Sequence, residues 1–276
     1  MAWKYYEKDG SLGQGPRART FSLSVPSGGS PRKLRPCDVG EEHSGHRKRL
    51  MERFRKGALD GFYNYEVLEL FLTYAVPKKN VKPLAKSLFD KFKGLRGVFD
   101  ASVDELREVD GVTENAALLI KLVKDVCGAY LKERMMGKDI VRCPKEALDF
   151  LNIMLSGERI EKFLAIYLNS RNEVVSVEIL HEGTINQTAV YPRKAIEQAF
   201  KHSASAVIFV HNHPSGDANP SNVDLQLTNA LDRAALAVDL IVLDHMIIGR
   251  NSHFSARENG WIIGCQPSLI KKPMLS

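Results

Sequence analysis

The run Ala206-Val207-Ile208-Phe209-Val210 is wholly apolar and passes directly into His211-Asn212-His213-Pro214-Ser215-Gly216. An apolar run this short reads as a central β-strand rather than a helix. The second half of the chain is therefore mixed α/β. The carboxyl edge of such a strand is where α/β proteins build their sites. Residues two apart on an extended segment point the same way, so His211 and His213 can face one point. Asp224, in the first turn of a following helix, can add a carboxylate. Two imidazoles and a carboxylate with one position left open is how catalytic zinc is held. The prolines and Gly216 shape the intervening loop. Ser221-x-x-Asp224 reads equally well as a capping-box-like helix start, with Asp in the usual Glu/Gln place. On the residues alone, both readings stand.

Around this strand the pattern alternates. Pro144 to Leu155 is expected as a helix, Lys162 to Leu168 as an apolar strand, and Glu173 to Leu180 as its hairpin partner across a turn at 169–172. A helix follows Pro192. Another runs from Ser221 to Ala237, and Asp239 to Ile248 supplies one or two further strands. Residues 45–134 read as helices. Tyr65 to Tyr74 and Val81 to Phe92 carry apolar faces, and Ser102 is a plausible N-cap. Asp110-Gly111-Val112-Thr113 then precedes a long helix from Glu114 to about Arg134. Short helix, turn and long helix resemble a helix-hairpin-helix, whose two glycines let backbone N–H groups approach a phosphate. Here Thr113 stands where the second glycine would be, and a β-branched residue resists positive φ. A packing hairpin and a DNA-backbone contact through Gly111 and Thr113 both remain open.

At 276 residues, the chain has room for two domains. We read 1–44 as a disordered basic tail, 45–134 as a small all-α domain, 135–142 as a linker, 143–265 as the α/β domain, and 266–276 as a C-terminal tail. No apolar run approaches the ~20 residues needed to span a bilayer, and the first ten residues lack a signal-peptide core. The expectation is a cytoplasmic protein with no membrane partner. Cys37, Cys127, Cys143 and Cys265 form no C-x-x-C pair and read as small apolar fillers. The net charge of +6 is concentrated at the N-terminus, where residues 1–50 hold ten Lys/Arg against five Asp/Glu. Arg47-Lys48-Arg49 with Arg53, Arg55 and Lys56 is a solvated helix face or a phosphate contact.

The order His-x-His-Pro, six residues, Ser, two residues, Asp is met at every position and resembles the JAMM (MPN+) metalloprotease motif. His-Asn-His-Pro-Ser-Gly is the form seen in the RadC family. Gly183-Thr184, Tyr191-Pro192-Arg193, Leu243-Asp244-His245, Ser255 and Gly260 are similar to it too. The resemblance covers roughly 45–265. It implies an α/β fold of the cytidine-deaminase-like JAMM type, a mixed sheet with flanking helices, preceded by the all-α domain. It implies one Zn2+ per chain on His211, His213 and Asp224. Ser221 would help stabilise an oxyanion, and a glutamate from an earlier strand would act as general base. Glu161, just before the first strand, fits that base best, Glu182 is next, and Glu158 and Glu178 are further candidates. The implied activity is hydrolysis of an amide or isopeptide bond in a peptide or protein. The alternatives are a DNA-associated repair protein with structural zinc, touching DNA through the helical domain or the basic tail, and a metal-dependent nuclease. Asp244 and His245 read either as a pair supporting the site or as a buried, hydrogen-bonded histidine.

Overall fold

The computed structural model describes residues 38–77, 79–142, 144–183 and 192–262, with side chains described from residue 45. Most of the basic tail, Cys37, Cys143, Cys265, Thr184, Tyr191 and the C-terminal tail lie outside the described residues. Six helices come first: α1 (Asp38–Gly57), α2 (Asn64–Ala75), α3 (Lys82–Lys91), α4 (Leu95–Asp100), α5 (Val103–Arg107) and α6 (Glu114–Met135). The remainder runs α7 (Pro144–Leu155), β1 (Lys162–Leu168), β2 (Val174–Glu182), α8 (Pro192–Lys201), β3 (Ala206–Asn212), α9 (Asn222–Leu236), β4 (Ile241–Ile248) and β5 (His253–Ser255). Helix α1 begins at Asp38, inside the segment read as tail. Helix α4 and strand β5 were not anticipated. Each is too short, at six and three residues, to show a period. Among the described residues, no helix is long and apolar enough to cross a membrane.

The helical half closes over its own apolar cluster, with Leu68, Leu72, Leu88, Leu106 and Ile120 fully buried. Its caps follow the sequence. Ser102 accepts from Glu105 N, and the Glu105 side chain returns to Ser102 N. Gly111 takes φ +86°, so the hairpin turn uses the glycine as such. Thr113 does not take the positive φ that a second glycine would allow. It sits at φ −81°, ψ 160°, and its side chain caps α6 by accepting from Ala116 N. The backbone at this position asks for a capping residue, not for a second glycine. Nor is the basic face wholly solvated. Arg47 donates to the carbonyls of Val76 and Lys79, and Arg53 to Glu66 and Gly61 O.

The α/β half is the expected mixed sheet with flanking helices. Five strands lie in the order β2-β1-β3-β4-β5. Of the neighbouring pairs, β3 and β4 run parallel, joined through α9, and the others are antiparallel. The apolar run of β3 is central, as read. Period two sorts the side chains between two cores. Phe163, Tyr167, Val207 and Phe209 pack with α8 and α9 on one face. Leu164, Ile166, Leu168 and Val210 pack with Phe150 and Leu151 of α7 and with Met135 of α6 on the other. His211 falls in phase with Phe209, so the sheet delivers it to the α9 face.

The two halves are tied by side chains. Arg96 of α4 donates to Asn251 Oδ1, Ser156 Oγ and the Arg250 carbonyl. Lys124 of α6 lies 3.0 Å from Asp100 and 3.5 Å from Glu158. A cavity of about 450 Å³ lies between α4, α6, α7 and residues 250–253, apart from the histidines of β3. Cys127 lines it and is exposed, contrary to its reading as an apolar filler.

Candidate metal centre

Three elements converge at the end of β3. His211 is the penultimate residue of that strand and is completely buried. Its ring stacks on Phe163, its register partner on β1, at 6.0 Å. His213 follows on the loop, and its Nδ1 lies 2.8 Å from Asp217 O. The loop folds back on the end of β4. His213 N donates to Ile248 O, and Arg250 N to Gly216 O. Gly216 takes φ +83°, and an added Cβ would stand 3.2 Å from Arg250 Cβ, so both conformation and space favour glycine. Ser221 then caps α9, which brings Asp224 inward in the first turn.

The donor atoms meet closely. His211 Nε2 lies 3.1 Å from His213 Nε2 and 3.1 Å from Asp224 Oδ1. His213 Nε2 is 3.5 Å from Asp224 Oδ2. Glu161 Oε1 stands 4.0 Å from His211 Nε2. One donor atom each from Glu161, His211 and His213 lie within 4.8 Å of one another. Burial alone would raise the Asp224 carboxyl. Hydrogen bonds from His211, His213 and Ser221 outweigh it and hold the group well below the usual carboxylate range. The hydrogen bond with Asp224 raises His213, against the effect of its own burial. Two imidazole nitrogens and a carboxylate that stays ionised form a mixed N/O set that suits zinc. One proton at His211 Nε2 could not serve three such neighbours, whereas a cation can.

The other candidates separate cleanly. Glu158 is tied to Lys162 at 2.9 Å and Lys124 at 3.5 Å. Glu178 binds Ser176 and His202. Glu182 is largely exposed, with Lys162 at 3.9 Å. Glu161 alone among these four lies within 4.0 Å of a histidine of the site. Ser221 does two things at once. Its Oγ accepts from Asp224 N, and its N–H and O–H donate to Asp224 Oδ2 at 2.7 Å each. An oxyanion contact would therefore require that hydroxyl proton to turn away from Asp224. Gly111 and Thr113 belong to the helical half and its hairpin.

Two residues, Asn212 and Thr228, carry roles the sequence reading did not assign, and His245 is the buried, hydrogen-bonded histidine of its second reading. Asn212, between the histidines, faces the opposite side of β3. It accepts from Lys162 N at 2.8 Å and donates to Glu158 O and Ile160 O. This clamps the turn that presents Glu161. His245 on β4 is nearly fully buried, with Nε2 at 3.0 Å from His211 Nδ1. Burial pushes it well below the ordinary histidine range. Thr228 Oγ1 lies 2.6 Å from His245 Nδ1 and 2.6 Å from Asp224 O. Asp224 and Thr228 are four apart on α9, hence on one face. The pairing of Asp244 with His245 is corrected. Adjacent strand residues point to opposite faces, and Asp244 instead accepts from His245 N, Arg257 N and the Ser255 hydroxyl.

The sequence profile of a family described as RadC-like JAB domain matches residues 141–261. UPF0758 protein FN0909 of Fusobacterium nucleatum subsp. nucleatum is 38% identical over 231 residues, which cover 80% of this chain and 99% of that protein.

Proposed function

Because this chain belongs to the RadC family and carries its JAB domain, we propose that it is a zinc-dependent hydrolase of amide or isopeptide bonds in peptides or proteins. The observation that carries the reading is the meeting of His211, His213 and Asp224, with Glu161 held slightly apart. His211 Nε2, His213 Nε2 and an Asp224 oxygen would hold the metal. Asp224 is the better third ligand, because it approaches both nitrogens and Glu161 stands further from His211. A zinc ion held by these residues would supply a water whose pKa is lowered to about 7 and a Lewis acid for the carbonyl. Glu161 takes the proton from water and returns it to the leaving amine, the work of a positioned general base. Asn212 holds the turn from which Glu161 reaches in. Ser221 steadies Asp224 and, with its hydroxyl turned, can donate to a developing oxyanion.

The test is turnover of a lysine-linked model isopeptide by the full chain. Chelation should abolish turnover, and added zinc should restore it in proportion to occupancy at one metal per chain. Turnover that survives complete removal of the metal would refute the proposal.

A further inference from the structure

We propose that His245 and Thr228 are positioning residues that fix the tautomer of His211 and so leave its Nε2 lone pair free for the metal. This rests on the reading of His211 as a ligand. The direction of every proton follows from one atom. Asp224 O is a carbonyl and can only accept. Thr228 Oγ1 lies 2.6 Å from it, so the single hydroxyl proton of Thr228 is given there. Thr228 Oγ1 then has only lone pairs for His245 Nδ1, also 2.6 Å away, and His245 must donate from Nδ1. A neutral imidazole that donates from Nδ1 accepts at Nε2. That Nε2 lies 3.0 Å from His211 Nδ1, which must therefore carry a proton. With Nδ1 committed to His245, the Nε2 of His211, facing His213 and Asp224, is the nitrogen left for a metal, which would take the place of any proton shared there with Asp224.

The surroundings are buried and largely apolar. Thr228 and His245 are 1% and 2% exposed, and His211 is 0% exposed. Phe163 and Phe209 pack their rings against His245 at 5.5 and 6.4 Å. A charged His245 in this apolar wall, beside a cation site, would be strongly disfavoured. The relay also joins the ligands to each other. Thr228 grips the backbone of Asp224, so the helix that supplies the carboxylate sets the proton on the strand that supplies the imidazole.

The test reads protons and metal affinity, not turnover. In the 15N–1H spectrum of the zinc-loaded full chain labelled at histidine, His211 should be protonated at Nδ1 and His245 at Nδ1. Zinc affinity by chelator competition should fall 10–100-fold in Thr228→Val, which keeps shape and loses the hydroxyl. Thr228→Ser should bind as the unaltered protein does. His245→Gln, whose side-chain oxygen can accept from His211, should lose less than His245→Leu. A His211 Nδ1 without its proton in the zinc-loaded chain, or equal zinc affinity in Thr228→Val and Thr228→Ser, would overturn the relay. His211→Ala serves as control. If it keeps zinc at full affinity, the ligand reading itself fails; if it loses zinc while Thr228→Val does not, only the relay fails.

Discussion

A single asparagine between two histidines shows how the site divides its labour. His211 and His213 were legible because residues two apart on a strand share a face. Asn212 was not, because its meaning depends on which segment crosses the end of β1. It is 1% exposed and makes three hydrogen bonds to the turn before β1. Asn212→Ala leaves Lys162 N and two carbonyls without that partner, a loss of roughly 1–3 kcal/mol. The turn would loosen while the histidines and Asp224 keep their places. Asn212→Ala should therefore bind zinc like the unaltered protein yet hydrolyse more slowly, by about tenfold or more if Glu161 is misplaced by an ångström. Equal turnover in the variant would show that Asn212 serves stability alone. Thr228 was likewise hidden. A threonine on an apolar helix face reads as filler until β4 brings His245 against it.

At the scale of elements, long periodic segments were read well, while the short α4 and β5 were not. The helices α2, α3, α6, α7 and α9 and the hairpin β1–β2 follow the expected pattern within a few residues. The tie between α6 and the turn before β1 could not be read, since nothing in sequence links Lys124 to Glu158. Burial alone would raise the Glu158 carboxyl, but its hydrogen bond with Lys162 and the charge of Lys124 outweigh that and lower it. A carboxylate whose folded pKa is depressed adds stability that is present above its ordinary value. That stability is lost as pH falls through the lower, folded value. Between roughly pH 5 and 3, the stability gap between the unaltered protein and Glu158→Gln should therefore shrink, as read by urea unfolding at each pH. A gap constant over that range would show that these ion pairs contribute nothing net.

The whole molecule shows why five residues from four separate segments form one site. The order β2-β1-β3-β4-β5 places the start of β1 beside the end of β3. The parallel step from β3 to β4 carries α9 over the same edge. Glu161, the two histidines, Asp224 and His245 then meet where three connections end. The proposed ligand triplet was legible because it is local, spanning 14 residues. The proposed base was legible only through family resemblance, since the sheet order that brings β1 to β3 is not written in any short window. The central claim is that ligands and base are separate groups, although Glu161 stands near enough to the histidines to be mistaken for a ligand. Glu161→Gln separates the two. Zinc per chain by elemental analysis should remain at one, while isopeptide turnover falls by about 10²–10⁴-fold, the usual worth of a positioned acid/base. Loss of zinc from Glu161→Gln, or turnover equal to that of the unaltered protein, would contradict the account.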